Sequence, residues 1–288
     1  MATAKPIAVG ITNTSASNAA LLWAAARANR LKCPLAVVNV VDDRWMAAEV
    51  LPYLEVLRES GLALLKEAGE KATAAEPGLQ VTLQLLEGGI GAALGDYSRN
   101  ASMLVLGTSG HTRGALTDRA LQATATAECP VAVIGDAQEA GRGIVVGVDG
   151  SREATQAVAF AAAEADALGE ELTVLYAFTG PNRWIAAGLP QSSFATHVVE
   201  EEQIVLAETE AGLRQDYPDL VVNTRMETVL EPADALIRAA SGARLLVLGS
   251  RGKGGFERFV LGSTAHAVLS QPPCPTVITR VHKQQHAD

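Results

Sequence analysis

Three glycines and a serine in the C-terminal half of the chain, Gly249-x2-Gly252-x9-Gly262-Ser263, stand where an apolar run ends and a helical pattern begins. Glycine admits positive φ and lets a ligand reach the main chain with no Cβ in the way. A Gly-Ser pair opening a helix offers unpaired N–H groups, the positive end of the helix dipole and a hydroxyl, a combination suited to phosphate. Between the glycines, RGKGGFERF carries Arg251, Lys253 and Arg258 against Glu257 alone, a locally positive loop in a chain of formal net charge −9. The chemistry this predicts is the binding of an anion. Turn glycines with a serine helix cap account for the same spacing, and the motif alone does not separate the two readings.

Other phosphate and nucleophile devices are absent. There is no GxxxxGK[ST] loop, no GxGxxG after a strand and no GxSxG elbow, which sets aside Walker-type, dinucleotide-fold and common hydrolase chemistry. The acidic balance argues against general nucleic-acid binding, since phosphate backbones are held mainly by Lys and Arg. No basic segment precedes an apolar stretch near the N-terminus, and no apolar run approaches the roughly 18 residues of a membrane span. A cytoplasmic protein without a membrane segment is expected.

The elements that hold the motif are written twice. KPIAVGITNTSASNAALLWAAARANRLKCPLAVVNVV (5–41) matches GIVVGVDGSREATQAVAFAAAEADALGEELTVLYAF (143–178), with Gly10 on Gly147 and Leu35 on Leu172. SMLVLGTSGHTRG (102–114) matches ARLLVLGSRGKGG (243–255), and CPVAVIG (129–135) matches CPTVITR (274–280). At 288 residues the chain holds about two domains of roughly 100–200 residues. A content of 48% apolar and 19% charged residues suffices for real cores. The polar join DAQEAGRG (136–143) separates domains at 1–137 and 142–288.

Each copy alternates short apolar runs with helical patterns, so the fold class is α/β, a parallel sheet with helices on both faces. In the second copy GIVVGVD reads as a strand buried on both faces, and Ser151 as the N-cap of the helix behind it. SSFATHVVEEEQIVLAETEAGLRQ reads as a long amphipathic helix with Glu200, Glu201 and Glu202 on its wet side. A further helix starts with Pro232 in its first turn and runs to Gly242. Cys33, Cys129 and Cys274 each precede a proline, which suits small buried residues at strand entries rather than a disulfide framework or a metal site.

The G-x2-G-x9-G-S spacing after VLG, together with the opening IVVGVDGS, resembles the ATP-binding branch of the universal stress protein family. The resemblance covers essentially the whole chain as two tandem domains. It implies an open five-stranded parallel sheet of order 3-2-1-4-5 in each copy. The ends of the first and fourth strands then lie side by side at a topological switch point, where such sheets bind ligands. By the same resemblance Gly147, Val148 and Asp149 line the adenosine end, and Ala177 meets adenine with its main chain. Gly249, Arg251 and Gly252 contact ribose and phosphates, and Gly262, Ser263 and Thr264 hold the phosphate tail. The implied ligand is ATP, with or without Mg²⁺. A turn-capping carboxylate before Gly150-Ser151 is the plainer role for Asp149.

The first copy departs from this pattern. Thr12 stands where Asp149 stands in the second. Gly107 and Gly110 persist, but nine further residues lead to Ala120-Leu121, whereas alignment from the Cys-Pro pairs sets Thr117-Asp118 against Gly262-Ser263. Either way phosphate contacts are lost, and the N-terminal site reads as degenerate. His111 and His266 read as solvated or packed residues rather than ligands.

The resemblance implies a nucleotide-dependent stress sensor or regulator, with no catalytic residue and no protein metal site assigned. The enzymatic alternative is a slow ATPase or nucleotide hydrolase on the same site. It lacks an obvious base, since Asp149 and Glu257 are the acidic residues readily placed near the crevice. The resemblance further implies domains paired through their last strands, CPVAVIG and CPTVITR, and leaves open whether two chains form a homodimer.

Overall fold

The computed structural model describes residues 4–42, 51–108, 115–135, 141–178, 193–253 and 261–281, with only the backbone described for helical residues 51–52, 115–120 and 193–199. The chain divides into two compact units, Met1–Ala137 and Gln138–Asp288. The first contains β1 (Ile7–Gly10), α1 (Ser15–Leu31), β2 (Leu35–Val41), α2 (Leu51–Ala75), β3 (Val81–Glu87), α3 (Ile90–Ser98), β4 (Met103–Thr108), α4 (Ala115–Thr126) and β5 (Val131–Gly135). The second contains β6 (Ile144–Val148), α5 (Arg152–Leu168), β7 (Leu172–Ala177), α6 (Ser193–Asp216), β8 (Val222–Glu227), α7 (Pro232–Ala239), β9 (Leu245–Gly249), α8 (Ser263–Ser270) and β10 (Thr276–Thr279).

Within the first unit the strands run β3-β2-β1-β4-β5, and within the second β8-β7-β6-β9-β10. Neighbours in both rows pair in parallel. This is the order 3-2-1-4-5, twice. The central strands are covered on both faces by helices, so their side chains are buried almost without interruption, as along Ile144–Val146 and Leu245–Leu248. Such continuous Val/Ile/Leu runs are what a doubly covered parallel sheet requires. By contrast β3 and β8 alternate or expose their side chains, and Thr82, Gln84, Asn223 and Arg225 on them are polar.

In the second unit α5 packs on β6, β9 and β10, and α6 packs on β7 and β8. The helix α7 contacts β6, β7 and α8. Local chemistry fixes the helix ends. Ser151 caps α5 by accepting the Ala154 N–H at 3.1 Å, and the preceding Gly150 takes φ +76°, a conformation costly for any residue with a Cβ. Pro232 sits in the first turn of α7, where its missing N–H costs nothing. That helix ends at Ala239, and Gly242 lies in the turn beyond it with φ +80°. Its helical pattern therefore outruns the helix by three residues, because turn and helix share the same small side chains. None of the three cysteines is in a disulfide; Cys129 and Cys274 are buried at the entries to β5 and β10, where burial pushes the Cys274 thiol up to about 12. No described helix is long and apolar enough to cross a membrane.

Candidate functional site

A parallel sheet gathers strand C-termini and helix N-termini along one edge, and the second unit has its crevice there. The cavity has a volume of about 640 Å³, within the range usual for small-molecule sites. It opens between the ends of β6 and β9, the point where successive strands depart in opposite directions. All ten residues expected at the site line it: Gly147, Val148, Asp149, Ala177, Gly249, Arg251, Gly252, Gly262, Ser263 and Thr264. Leu175, Leu236 and Leu248 form an apolar floor, and the first turns of α5, α7 and α8 reach the rim with Ala154, Pro232 and Ala265.

The motif glycines divide by physical cause. A Cβ on Gly249 would stand 2.9 Å from the Glu153 backbone, and one on Gly147 would stand 2.7 Å from a Leu248 methyl. Both positions are closed by packing inside the protein. At Gly252 a Cβ would overlap Asp149 Oδ2, so this glycine lets the carboxylate approach the loop. Gly262 is different. It caps α8 at φ −70° and ψ 155°, and among the described residues an added Cβ would meet nothing nearer than the Arg251 Cα at 3.4 Å. Neither backbone strain nor packing demands glycine there.

Gly262 was expected to offer its N–H to phosphate, but that group donates to the Ser250 carbonyl at 2.8 Å and closes the loop on itself. The N–H groups left at the helix start belong to Ser263, Thr264 and Ala265, and no side chain caps them. Asp149 carries out the plainer role proposed for it and a second one. Its Oδ1 accepts the Ser151 N–H at 3.0 Å, and its Oδ2 accepts the Lys253 N–H at 2.9 Å, joining the end of β6 to the loop after β9. An ionised carboxylate has about four lone-pair sites, so acceptor capacity remains.

The loop is less positive than its sequence suggests. Arg251 pairs with Glu153 of α5 at 3.0 Å, and Lys253 pairs with Glu202 of α6 at 3.0 Å. Glu257 and Arg258 lie outside the described residues, as do Gly110 and His111. Glu202 was expected on the wet side of its helix; instead its side chain is 22% exposed and accepts a short hydrogen bond from the Tyr176 hydroxyl. Burial, then the hydrogen bond to Glu202, pushes the Tyr176 phenol well above its ordinary range. The signal was present in the sequence. Glu202 shares a helical stripe with buried Leu206 and Leu213, and a buried tyrosine at a strand end needs an acceptor for its hydroxyl. Glu153 was missed as well. His266, read as a solvated or packed residue rather than a ligand, is exposed and borders the crevice.

The corresponding cavity of the first unit has about 300 Å³ and is lined by Gly10, Ile11, Val38, Val40, Ile90, Leu94, Leu106 and Gly107, with Thr12, Thr14 and Ser17 as its polar members. Its threonines satisfy one another and the helix start. The Thr12 N–H donates to Ser17 Oγ at 2.8 Å, the Thr12 and Thr14 hydroxyls lie 3.2 Å apart, and Thr14 caps α1. The helix α4 begins at Ala115. Ala120-Leu121 therefore falls inside it, and Thr117-Asp118 falls in its first turn rather than at its cap.

Fold and crevice together define a duplicated, doubly wound α/β protein with a ligand-sized cleft at the switch point of its second sheet. The model of the universal stress protein family matches residues 3–135 and again 142–280, and the chain belongs to that family. It is 32% identical to the universal stress protein Rv2005c of Mycobacterium tuberculosis, over 95% of this chain and 96% of that one. A universal stress protein of Mycolicibacterium smegmatis is 31% identical over 97% and 98% of the two chains. The crystal structure of a universal stress protein from Archaeoglobus fulgidus shares the fold, with a TM-score of 0.70 at 17% identity, over 96% of this chain and 98% of that one.

Proposed function

We propose that the C-terminal domain binds ATP and that the protein acts as a nucleotide-dependent stress regulator in the cytoplasm. The observation that carries this reading is the uncapped first turn of α8, which opens on the crevice through a glycine that the fold itself does not require. Three free N–H groups at a helix N-terminus, with the Ser263 and Thr264 hydroxyls beside them, form a phosphate cradle. The apolar floor of Leu175, Leu236 and Leu248 suits the faces of a purine, and Asp149 at the strand end retains lone pairs for a nucleoside donor.

We expect slow turnover from the same site. Efficient hydrolysis needs a carboxylate or imidazole free to take a proton from water. The described carboxylates around the site are engaged: Asp149 holds two backbone N–H groups, Glu153 holds Arg251, and Glu202 holds Tyr176 and Lys253. That leaves the exposed His266 as the group an enzymatic reading would have to use. Any Mg²⁺ would be held largely by the phosphates themselves. Nucleotide extracted from the purified protein and resolved by chromatography tests the reading. Intact ATP at about one equivalent per chain is expected, since Thr12 replaces the Asp149 carboxylate in the N-terminal copy and the cavity there is less than half as large. Stoichiometric ADP would turn the reading toward an enzyme, and the absence of bound nucleotide on titration would overturn it.

A further inference from the structure

We propose that Glu202 is a built-in counter-ion that competes with the ligand's phosphates for Lys253, and so sets how strongly the C-terminal crevice prefers a polyphosphate to an uncharged nucleoside. This inference deepens the ATP reading and rests on it.

Lys253 is placed for two alternative partners. Its backbone is fixed, because its N–H donates to Asp149 Oδ2. Its side chain borders the crevice, yet its ammonium leans away across the end of β7, 3.0 Å from Glu202 Oε2, 3.5 Å from the Tyr176 hydroxyl and 6.0 Å from that ring's centre. A lysine is a point charge on a flexible stem, able to swing without moving its main chain. The pair it makes is weakly held, since the Lys253 side chain is 49% exposed and water screens such contacts.

Glu202 can release the lysine without being orphaned. The Tyr176 hydroxyl donates to the same carboxylate oxygen, and Tyr176 is 2% exposed. When phosphate takes the ammonium, Glu202 keeps its buried donor, and the full penalty of an unpaired carboxylate is not incurred. Arg251 is arranged otherwise. Its guanidinium bonds Glu153, whose side chain is 17% exposed, with no second described donor on that carboxylate.

The N-terminal copy supplies a control within the same chain. By the register of β1 with β2 and of β6 with β7, Tyr176 corresponds to Asn39. Gly61 of α2 packs against Asn39, where a Cβ would come within 2.8 Å of its Oδ1, the place Glu202 takes against Tyr176. The Asn39 amide donates to the Ile11 carbonyl at 2.9 Å. The copy that has Thr12 in place of Asp149 thus also lacks the carboxylate and the phenol at this place.

The test is calorimetric titration of the full chain with ATP and with adenosine, using Glu202→Gln, Lys253→Met and the double variant. Gln keeps an acceptor for Tyr176 and removes the charge. Glu202→Gln should tighten ATP about three- to fivefold, leave adenosine unmoved and steepen the salt dependence of ATP binding. Lys253→Met should weaken ATP about tenfold, and in its background Glu202→Gln should have no further effect. Weaker ATP binding by Glu202→Gln, or equal changes for ATP and adenosine, would overturn the proposal and make the pair a brace for the loop. Wild-type protein that binds ATP but does not respond to Glu202→Gln defeats this inference alone. Wild-type protein that binds no ATP defeats the nucleotide reading and the inference together.

Discussion

The two copies of the crevice share a floor and differ in their rims. Gly10, Val38, Leu94 and Leu106 line the first, and Gly147, Leu175, Leu236 and Leu248 line the second at corresponding places in the sheet. The rims diverge at the polar positions described in both. Thr12 replaces Asp149, and Asn39 and Gly61 replace Tyr176 and Glu202. The difference separates what the fold needs from what a ligand needs. Packing accounts for Gly107, because a Cβ there would overlap the Ala16 carbonyl, just as one on Gly249 would press on Glu153. A retained glycine at the end of the fourth strand is therefore evidence of helix packing, not of a working cradle.

The largest expected effect strikes the one motif glycine that packing does not explain. Gly262→Asp should weaken ATP binding more than about a hundredfold, since it sets a carboxylate among the phosphates. The fold should survive. Gly262 has a negative φ and a cap conformation, and Asp is a favoured cap there. Calorimetric titration beside a thermal melt reads both. A folded variant with unchanged affinity would remove the phosphate cradle from the comparison.

Next comes the exchange of one rim residue for its counterpart. Asp149→Thr should cost about ten- to a hundredfold in ATP affinity, the worth of a hydrogen-bonded carboxylate. Part of that loss is indirect, because the Lys253 and Ser151 N–H groups lose their acceptor. Single-turnover hydrolysis on the same variant separates binding from catalysis. A general base would leave affinity intact while the chemical step fell by about 10²–10⁴, and that outcome would make the protein an enzyme.

A smaller effect is expected where the copies agree. Gly107→Ala should destabilise the N-terminal domain by about 1–3 kcal/mol through overpacking against the Ala16 carbonyl. It should leave ATP affinity untouched. Denaturant unfolding checks the first part and titration the second. Loss of nucleotide from this variant would show that the N-terminal crevice takes part in binding after all.

What the sequence revealed and what it hid follow from the range of the interactions. Strands, helices and their order were legible because buried Val/Ile/Leu runs and helical spacing are local, and because the chain states them twice. The residues that line the crevice were legible too, since Gly249, Gly252, Gly262 and Ser263 form one short motif. Hidden were the pairs that join distant elements: Arg251 with Glu153, Lys253 with Glu202, and Tyr176 with Glu202. A run of three glutamates reads as a solvated face until the helix is rotated onto its sheet. The start of α4 was hidden for another reason. Alignment by motif and alignment by the Cys-Pro pairs disagree there, and neither marks where the helix begins.

The smallest expected effect is the most demanding of the comparison. Thr12→Asp restores the missing carboxylate to the N-terminal copy, and it should still bring no second equivalent of ATP. The cavity there is about 300 Å³, less than half the volume of its counterpart, and Val40 and Ile90 stand where Ala177 and Pro232 leave room. At the place of Glu202 the Gly61 backbone supplies no counter-ion. The substitution itself should be well tolerated. The Thr12 N–H bond to Ser17 Oγ belongs to the main chain and persists, and an Asp side chain can accept from the Thr14 hydroxyl as Thr12 can now. A shift in stability within about 1 kcal/mol is expected. Nucleotide counting on the extracted variant decides the point. A second equivalent would mean that the carboxylate alone separates a working crevice from a dead one, and that the cradle at α8 is secondary.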